Sequence, residues 1–478
     1  MQIKQLLTKI VATALGAVGV DAAPQAQNVV ANDDTIVTNV TRGSIPITTL
    51  LNNDTEINGA PLFILNVGTP QFGTALLSRD SNNVTFVSYT PNRSFTGIDS
   101  FTYRINDRQN GLGTSSTATI TLINPFLSGR GIYASSLSGP GGSHDVSGFF
   151  NISVTPSGTF SSAIRLAGTT TRMSGNFDLN GNFLGHITRI GLPDIEVALS
   201  YDISGKTQEI SGVLTIAAEE IKFTAPKVRW SRTDIPTTQG RYTIVIPAPS
   251  TSATTPQGNG YATILVNRTG VIASLGRTGD NRPFSSSTYL ANDETTVPVY
   301  GGIRPNGSIY GDVIVNSPAS RTLDRDAATG VLHWFLAKDS KRALFPNGVK
   351  LDVPIHGSRY TEPAKESPVL SVSSAVYNGN ITVSGANLRT PRTERAAITK
   401  RPSAGRYDFL FDGAKRLDAM LTVTPRTGVF RGSFYNPTTR RDHRINGVFI
   451  QGENKAFGLW NTETKTGKVE LTADSNPD

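Results

Sequence analysis

Apolar and polar residues alternate along most of the chain, in short runs that are separated by turn residues. One phrase occurs three times, at residues 151–164 (NISVTPSGTFSSAI), 262–275 (ATILVNRTGVIASL) and 420–434 (MLTVTPRTGVFRGSF). Each copy has an alternating run, a turn ending in Gly158, Gly270 or Gly428, and a second alternating run, which is the pattern of a β-hairpin. A Gly-x-Tyr step precedes each copy, at Gly131/Tyr133, Gly240/Tyr242 and Gly405/Tyr407. The pattern predicts an all-β repeat architecture for the C-terminal three quarters of the chain.

Residues 24–124 show a second regular pattern, of about seven short strands. Phe101, Tyr103 and Ile105 occupy alternate positions of one run, and Ala118, Ile120 and Leu122 do so in another. Alternate residues of a strand share a face, so each run predicts one buried and one exposed face. Many short strands in a hundred residues are typical of an immunoglobulin-type sandwich.

The motifs of this segment add a family resemblance. They are, in chain order, NDDT, LLNNDT, YTPN, F-x-G-x-DSFTYRI-x-D and STATITL. In this order they resemble the bacterial cadherin-like, Ig-like domain that occurs in tandem in large surface proteins. The resemblance implies a β-sandwich that acts as a spacer or adhesive module, with calcium binding in several members.

Acidic residues of the same segment form a candidate metal site. In an Ig-type sandwich, Asp33, Asp54 and Asp107 would lie in loops at one pole, where Asp34 and Asn53 could add oxygen ligands for calcium. The alternative is that Asp and Asn stand there because they suit turns. The loop around Asp54 is less acidic than is common in the family that the segment resembles.

The rest of the chain predicts an antiparallel β-meander. Runs at 148–225 follow one another with turns of two to five residues, which places neighbouring strands antiparallel. So many strands would expose long edges unless the sheet coils or closes into a barrel. We expect three meander repeats, at 130–232, 240–375 and 376–478. The region also resembles a β-rich C-terminal region of secreted bacterial proteins that has no known activity.

The N-terminus predicts export. Lys4 and Lys9 precede an apolar run at 10–20 that is too short to span a bilayer, and small residues follow before Pro24, so residues 1–23 read as a signal peptide. The alternative is a buried helix. No later run is apolar and long enough for a transmembrane helix. The chain of 478 residues has no Cys, which excludes disulfides and thiolate metal sites.

The charge is uneven. The net charge is +8; the first 23 residues carry +1 and residues 24–124 carry −2, so residues 125–478 carry +9. The densest basic run is Arg389, Arg392, Arg395, Lys400, Arg401 and Arg406, with Arg440, Arg441 and Arg444 further on. Such a patch would attract acidic polysaccharide, lipopolysaccharide or nucleic acid, or would be a solvated rim. Stacking aromatics are absent from the basic run, so no nucleic-acid partner is expected.

No catalytic motif stands out. None of the five His has a metal-ligand spacing, and no nucleophile elbow or phosphate loop is present. Glu219/Glu220 and Asp324/Asp326 are the carboxylate pairs available to a glycosidase. Trp230, Trp334 and Trp460 could form a sugar platform, but Trp in alternating runs favours core packing.

These patterns predict an all-β exported protein, with an Ig/cadherin-like sandwich followed by a barrel-like or coiled-sheet meander. The hypothesis is a non-enzymatic adhesion or structural protein, secreted or at the cell surface, whether extracellular or periplasmic. Its partner would be a surface or extracellular polysaccharide or protein. The alternatives are a carbohydrate-binding protein and a polysaccharide-degrading enzyme.

Overall fold

The computed structural model describes residues 29–38, 43–57, 59–107, 115–249, 255–316, 327–400, 407–411, 419–436 and 438–474. The predicted signal peptide, Gly405 and the pair Asp324/Asp326 lie outside these residues. The chain divides into two compact units, Met1–Asn124 and Pro125–Asp478. Both are nearly all β, which confirms the predicted fold class. No helix among the described residues is long and apolar enough to cross a membrane.

The first unit is a β-sandwich. Its strands are β1 (Val29–Val30), β2 (Asp34–Val37), β3 (Gly43–Pro46), β4 (Thr55–Glu56), β5 (Phe63–Val67), β6 (Gly73–Arg79), β7 (Thr85–Pro91), β8 (Ile98–Asn106) and β9 (Ser115–Ile123), with a short helix α1 (Ile47–Leu50) between β3 and β4. One sheet has the order β2-β9-β8-β5, a second has β3-β7-β6, and β1 pairs with β4. Only β2 and β9 pair in parallel among these strands.

The predicted alternation of β8 and β9 is confirmed. Phe101, Tyr103 and Ile105 are buried, while the residues between them are exposed. The inward side chains of β9 are buried with them in one apolar core. Burying one face of each strand is what fixes the register of the sandwich.

The second unit begins with helix α2 (Pro125–Gly129) and contains three sets of eight strands. The first meander comprises β10 (Gly131–Ser138), β11 (Ser147–Val154), β12 (Thr159–Leu166), β13 (Thr169–Asn176), β14 (Asn182–Ile187), β15 (Ile195–Tyr201), β16 (Glu209–Ile216) and β17 (Glu219–Pro226). It forms two four-stranded sheets, β10 to β13 and β14 to β17. A bridge between Tyr133 and Lys227 joins β10 to the end of β17.

The other two sets form barrel-like sheets. The first barrel comprises β18 (Gly240–Ile246), β19 (Gly260–Val266), β20 (Val271–Arg277), β21 (Pro283–Tyr289), β22 (Thr296–Ile303), β23 (Gly307–Val315), β24 (Ala327–Leu336) and β25 (Val349–Tyr360). The second barrel comprises β26 (Gly379–Gly385), β27 (Arg392–Lys400), β28 (Tyr407–Phe411), β29 (Met420–Thr424), β30 (Val429–Asn436), β31 (Arg441–Ile450), β32 (Lys455–Asn461) and β33 (Thr466–Ala473). In each barrel the first strand pairs with the last, as β18 with β25 and β26 with β33.

The three repeated phrases form hairpins. Strand β11 pairs with β12, β19 with β20, and β29 with β30. Gly158, Gly270 and Gly428 all have positive φ at the turn. The carbonyl of each glycine accepts a backbone N–H from a residue near the end of the strand that follows the hairpin, β13, β21 or β31. The donors are Phe177, Leu290 and Phe449 respectively. The three copies are therefore equivalent in structure as well as in sequence.

Candidate functional site

A cavity of about 780 Å³ lies between the first and second barrels. We call it the inter-barrel groove; the residues of its lining that matter here are Arg277, Asn281, Arg431, Arg444, Asn446 and Asn461. The first two belong to the end of β20 and its following turn, and the other four belong to β30, β31 and β32. The groove therefore exists only where the two barrels meet.

The barrels are held together beside the groove by buried contacts. Val245 and Tyr261 of the first barrel pack in one apolar cluster with Val448, Ile450 and Leu459 of the second. In addition, the Thr243 hydroxyl donates to the Phe449 carbonyl oxygen at 2.8 Å. Burial of this kind fixes the walls of the groove without a ligand.

The register of β30 and β31 places two arginines on the groove wall. Arg431 pairs with Asn446, and Ser433 pairs with Arg444. These four residues occupy alternate, outward positions, while Phe430, Phe434 and Ile445 face the core. Arg431 and Arg444 are thus diagonal neighbours on one face, with Cα atoms roughly 7 Å apart.

The third arginine comes from the first barrel and has neutral partners. Arg277 Nη1 donates to the carbonyl oxygen of Asn281 at 2.8 Å and to its Oδ1 at 3.0 Å. The Asn281 Nδ2 in turn donates to Asn461 Oδ1 at 2.9 Å, across the two barrels. Neutral groups therefore hold the Arg277 guanidinium in place, and in the described part of the chain no carboxylate bonded to it neutralises its charge.

The buried phenol of Tyr261 lies near two of these charges. Burial raises the pKa of Tyr261, and the positive charges of Arg277 and Arg431 oppose that rise. One phenol thus lies in the field of guanidinium groups from both barrels. Among the described residues, no Asp or Glu forms an ion pair with Arg277, Arg431 or Arg444. Asp442 is the one acid of the lining.

Sequence reasoning missed most of this site. Arg444 belongs to the basic residues that the sequence analysis noted, but Arg277 and Arg431 do not. In the sequence-predicted basic run, Arg389 and Arg395 are exposed, and the Arg395 guanidinium lies 5.6 Å from the ring centroid of Tyr377. Arg401 and Arg406 lie outside the described residues, and so does the side chain of Lys400.

The acidic residues of the first unit are partly brought together. The backbone N–H of Asn32 donates to Asp54 Oδ1 at 2.8 Å, and Asn53 Nδ2 donates to the Asp33 carbonyl oxygen at 3.2 Å. The Tyr103 hydroxyl donates to Asp54 Oδ2 at 3.0 Å. Burial raises the pKa of Asp54.

Asp34 and Asp107 are two further acids of the first unit. Burial raises the pKa of Asp34, and the nearby charges of Asp54 and Asp33 raise it further. Asp107 follows the last residue of β8 and is buried. In the part of the chain that the structure describes, no group of three or more His, Asp or Glu is arranged to hold a metal ion. Calcium at Asp33, Asp54 and Asp107 stays a prediction.

The three tryptophans and the pair Glu219/Glu220 are the remaining candidates from the sequence. Trp230, Trp334 and Trp460 are buried, so none presents a ring to solvent as a sugar platform would. Glu219 and Glu220 are neighbours on β17, and Glu220 forms an ion pair with Lys222 at 3.0 Å. Adjacent residues of a strand point to opposite faces, which separates the two carboxylates.

Comparison with known proteins bears on the first unit. Residues 22–123 match the family model of the bacterial Ig domain. The predicted resemblance to a bacterial Ig-like domain is confirmed for that segment, whereas its cadherin-like character stays a prediction. A bacterial Ig domain is typical of surface or extracellular proteins. No curated protein matches the chain significantly.

Two solved structures were also found to be similar. They are the isotype 1 transferrin binding protein B from serogroup B Neisseria meningitidis (10% identity, 87% of each chain covered, TM-score 0.19) and the fucose-specific lectin from Aleuria aurantia (10% identity, 74% of this chain and 98% of that chain covered, TM-score 0.14). At such TM-scores neither likeness supports a conclusion about this chain.

Proposed function

We propose that this protein is exported and acts, without catalysing a reaction, as an adhesive or structural module at the bacterial surface or outside the cell. The observation that carries the proposal is the bacterial Ig domain at residues 22–123, because such domains are typical of surface and extracellular proteins. The apolar run and small residues at 1–23 support export.

The second unit supports a binding or scaffolding role. Its barrels are joined by a buried apolar cluster and by hydrogen bonds between them, so they present a common surface of fixed geometry. Fixed surfaces bind partners without the entropy cost of ordering a loop. A module of this kind is suited to holding a ligand or a neighbouring molecule.

A non-enzymatic role is supported by the contacts of two of the five histidines, His144 and His443. His144 contacts Ser308 through Nδ1 at 2.6 Å in a buried position, and the Nε2 of His443 lies 2.8 Å from the Thr439 hydroxyl. The His443 ring also packs against Trp460. Contacts of this kind support a packing and hydrogen-bonding role for these two imidazoles.

Location and attachment in the source bacterium test the proposal. Intact cells are labelled with an antibody against residues 125–478, and attachment to a coated surface is counted for the parent strain, a deletion strain and a strain lacking only residues 24–124. We expect label on intact cells or protein in the medium, and weaker attachment in both altered strains. Full-length protein confined to the cytoplasm would contradict the proposal.

A further inference from the structure

The inter-barrel groove combines a net positive charge, from three arginines against one carboxylate, with neutral polar groups. Arg431 and Arg444 are diagonal neighbours on one sheet face, and Arg277 approaches from the other barrel. Like charges at this spacing repel one another, which costs stability unless an anion lies between them. The groove therefore favours the binding of a negatively charged group.

Guanidinium groups also indicate the geometry of that charge. Their planar fork matches carboxylate, sulfate and phosphate oxygens in bidentate fashion. Three such forks within one groove match several anionic groups spaced along a chain better than they match a single small ion. Asp442 adds one negative charge to the lining and disfavours a ligand that is anionic along its whole surface.

The remaining lining selects among anionic polymers. The amide of Asn446 and the hydroxyl of Ser433 offer both donors and acceptors, which suits sugar hydroxyls. The one ring of the lining is the imidazole of His443, which already packs against Phe434 and Trp460. The lining holds no Phe, Tyr or Trp, so it offers bases no large ring to stack on. The volume of about 780 Å³ suits a few sugar residues rather than a folded protein.

We propose that the inter-barrel groove binds a short segment of acidic polysaccharide, with Arg277, Arg431 and Arg444 contacting its carboxylate or sulfate groups. The inference rests on the proposed extracellular role, because such polymers coat cells and matrices. It deepens that role by giving the adhesive surface a ligand class and a position.

Binding to immobilised polymers tests the groove directly. The purified full chain is titrated on polygalacturonate, dextran sulfate, neutral dextran and single-stranded DNA at a fixed ionic strength. We expect saturable binding to polygalacturonate or dextran sulfate, with the preferred polymer telling carboxylate from sulfate, and none to dextran. Binding to neither acidic polymer, or tighter binding to DNA than to both, would overturn the proposal.

Matched variants separate the groove from general attraction by net charge. The double variant Arg431→Gln/Arg444→Gln loses two groove charges, whereas Arg268→Gln/Arg389→Gln loses two exposed charges that do not line the groove. We expect at least a tenfold loss of affinity for the first and less than a twofold loss for the second. Equal losses would overturn the assignment.

Two further measurements keep the result interpretable. Equal melting temperatures of both double variants and the parent protein establish that the groove variant is folded. If the groove variant does not fold, Arg277→Lys takes its place, because it keeps the positive charge but loses the planar fork. We expect an affinity loss of at least threefold in Arg277→Lys. An unchanged affinity in that variant counts against the assignment. Since the assay uses purified protein, its failure leaves cellular location untouched, and mislocalisation leaves the binding result standing.

Discussion

The turn glycine of each repeated hairpin packs against the aromatic ring of a residue that comes earlier in the chain. A Cβ on Gly270 would lie 2.2 Å from the Trp230 ring, and one on Gly428 would lie 2.5 Å from the Tyr360 ring. Both glycines have φ near +70°, a conformation that L residues adopt at a cost. Steric exclusion and backbone conformation therefore both require glycine at these turns.

Replacing Gly270 should destabilise the first barrel by two separable effects. Gly270→Ala adds about 1 kcal/mol of backbone strain and forces the Trp230 ring to move, for a total of roughly 2 to 4 kcal/mol. Urea unfolding followed by tryptophan fluorescence measures the change, since Trp230 is itself the displaced ring. Full stability in this variant would contradict the packing described.

Gly191→Ala is the matched control. Gly191 has φ +73°, and a Cβ there would meet no atom within 4 Å. Its cost should be the strain alone, about 1 kcal/mol. The difference between the two variants then isolates the contact with Trp230, and equal costs would show that the ring gives way freely.

The turn glycines could be predicted from the sequence, but the rings above them could not. A glycine between two alternating runs indicates a turn because the signal is local. Phe126, Trp230 and Tyr360 stand outside the repeated phrase, and their positions depend on how α2, the β17–β18 connection and β25 return to the hairpins. Contacts of that kind depend on tertiary packing, which alternation alone does not encode.

At the scale of elements, the Gly-x-Tyr step marks the start of β10 and β18. The Tyr242 hydroxyl donates to the Thr238 carbonyl oxygen at 2.8 Å, and the Tyr133 hydroxyl donates to the carbonyl of Gly129 in the same way. Each tyrosine is buried and bonds the backbone four residues upstream. The step thus anchors the strand to the segment that leads into it.

Removing one hydroxyl should weaken the first barrel. Tyr242→Phe keeps the ring but leaves the Thr238 carbonyl without this donor, which costs about 1 to 2 kcal/mol. The midpoint of urea unfolding measures the loss. Tyr435→Phe, at a tyrosine that is 37% exposed, is the control and should change the midpoint little. A similar midpoint for both variants would argue against the anchor.

The inter-barrel groove shows why a binding site can be impossible to predict from the sequence. A one-residue change in the register of β30 and β31 would turn Arg431 or Arg444 to the opposite face. The wall from the first barrel depends in addition on how β18 and β19 dock against β31 and β32. Runs of charge in the sequence predict a basic region, whereas the groove is assembled from arginines far apart in the chain.

At the scale of the second unit, His144 links the first meander to the first barrel. Its ring is buried, stacks on Phe335 at 4.1 Å between centroids and contacts the Ser308 hydroxyl. Burial lowers the pKa of His144, while the charge of neighbouring Asp145 opposes that shift. The neutral imidazole is therefore the form that the folded protein favours.

This arrangement predicts that the second unit loses stability in mild acid. A His with a lowered pKa contributes fully above its ordinary value of 6.5, and that contribution is lost as pH falls below it, because the unfolded chain binds the proton first. Each unit of lowering is worth about 1.4 kcal/mol. Melting temperatures at pH 8 and pH 5 should differ more for the parent protein than for His144→Asn. An equal acid sensitivity in that variant would assign the effect to other groups.

Pairing of the first and last strand has an evolutionary consequence. The N-terminal end of β18 lies beside the C-terminal end of β25, and β26 and β33 are related in the same way. The chain therefore enters and leaves each barrel at adjacent points. A gene segment encoding one such set of strands could therefore be copied in tandem without severing any hydrogen-bonded ladder within the set.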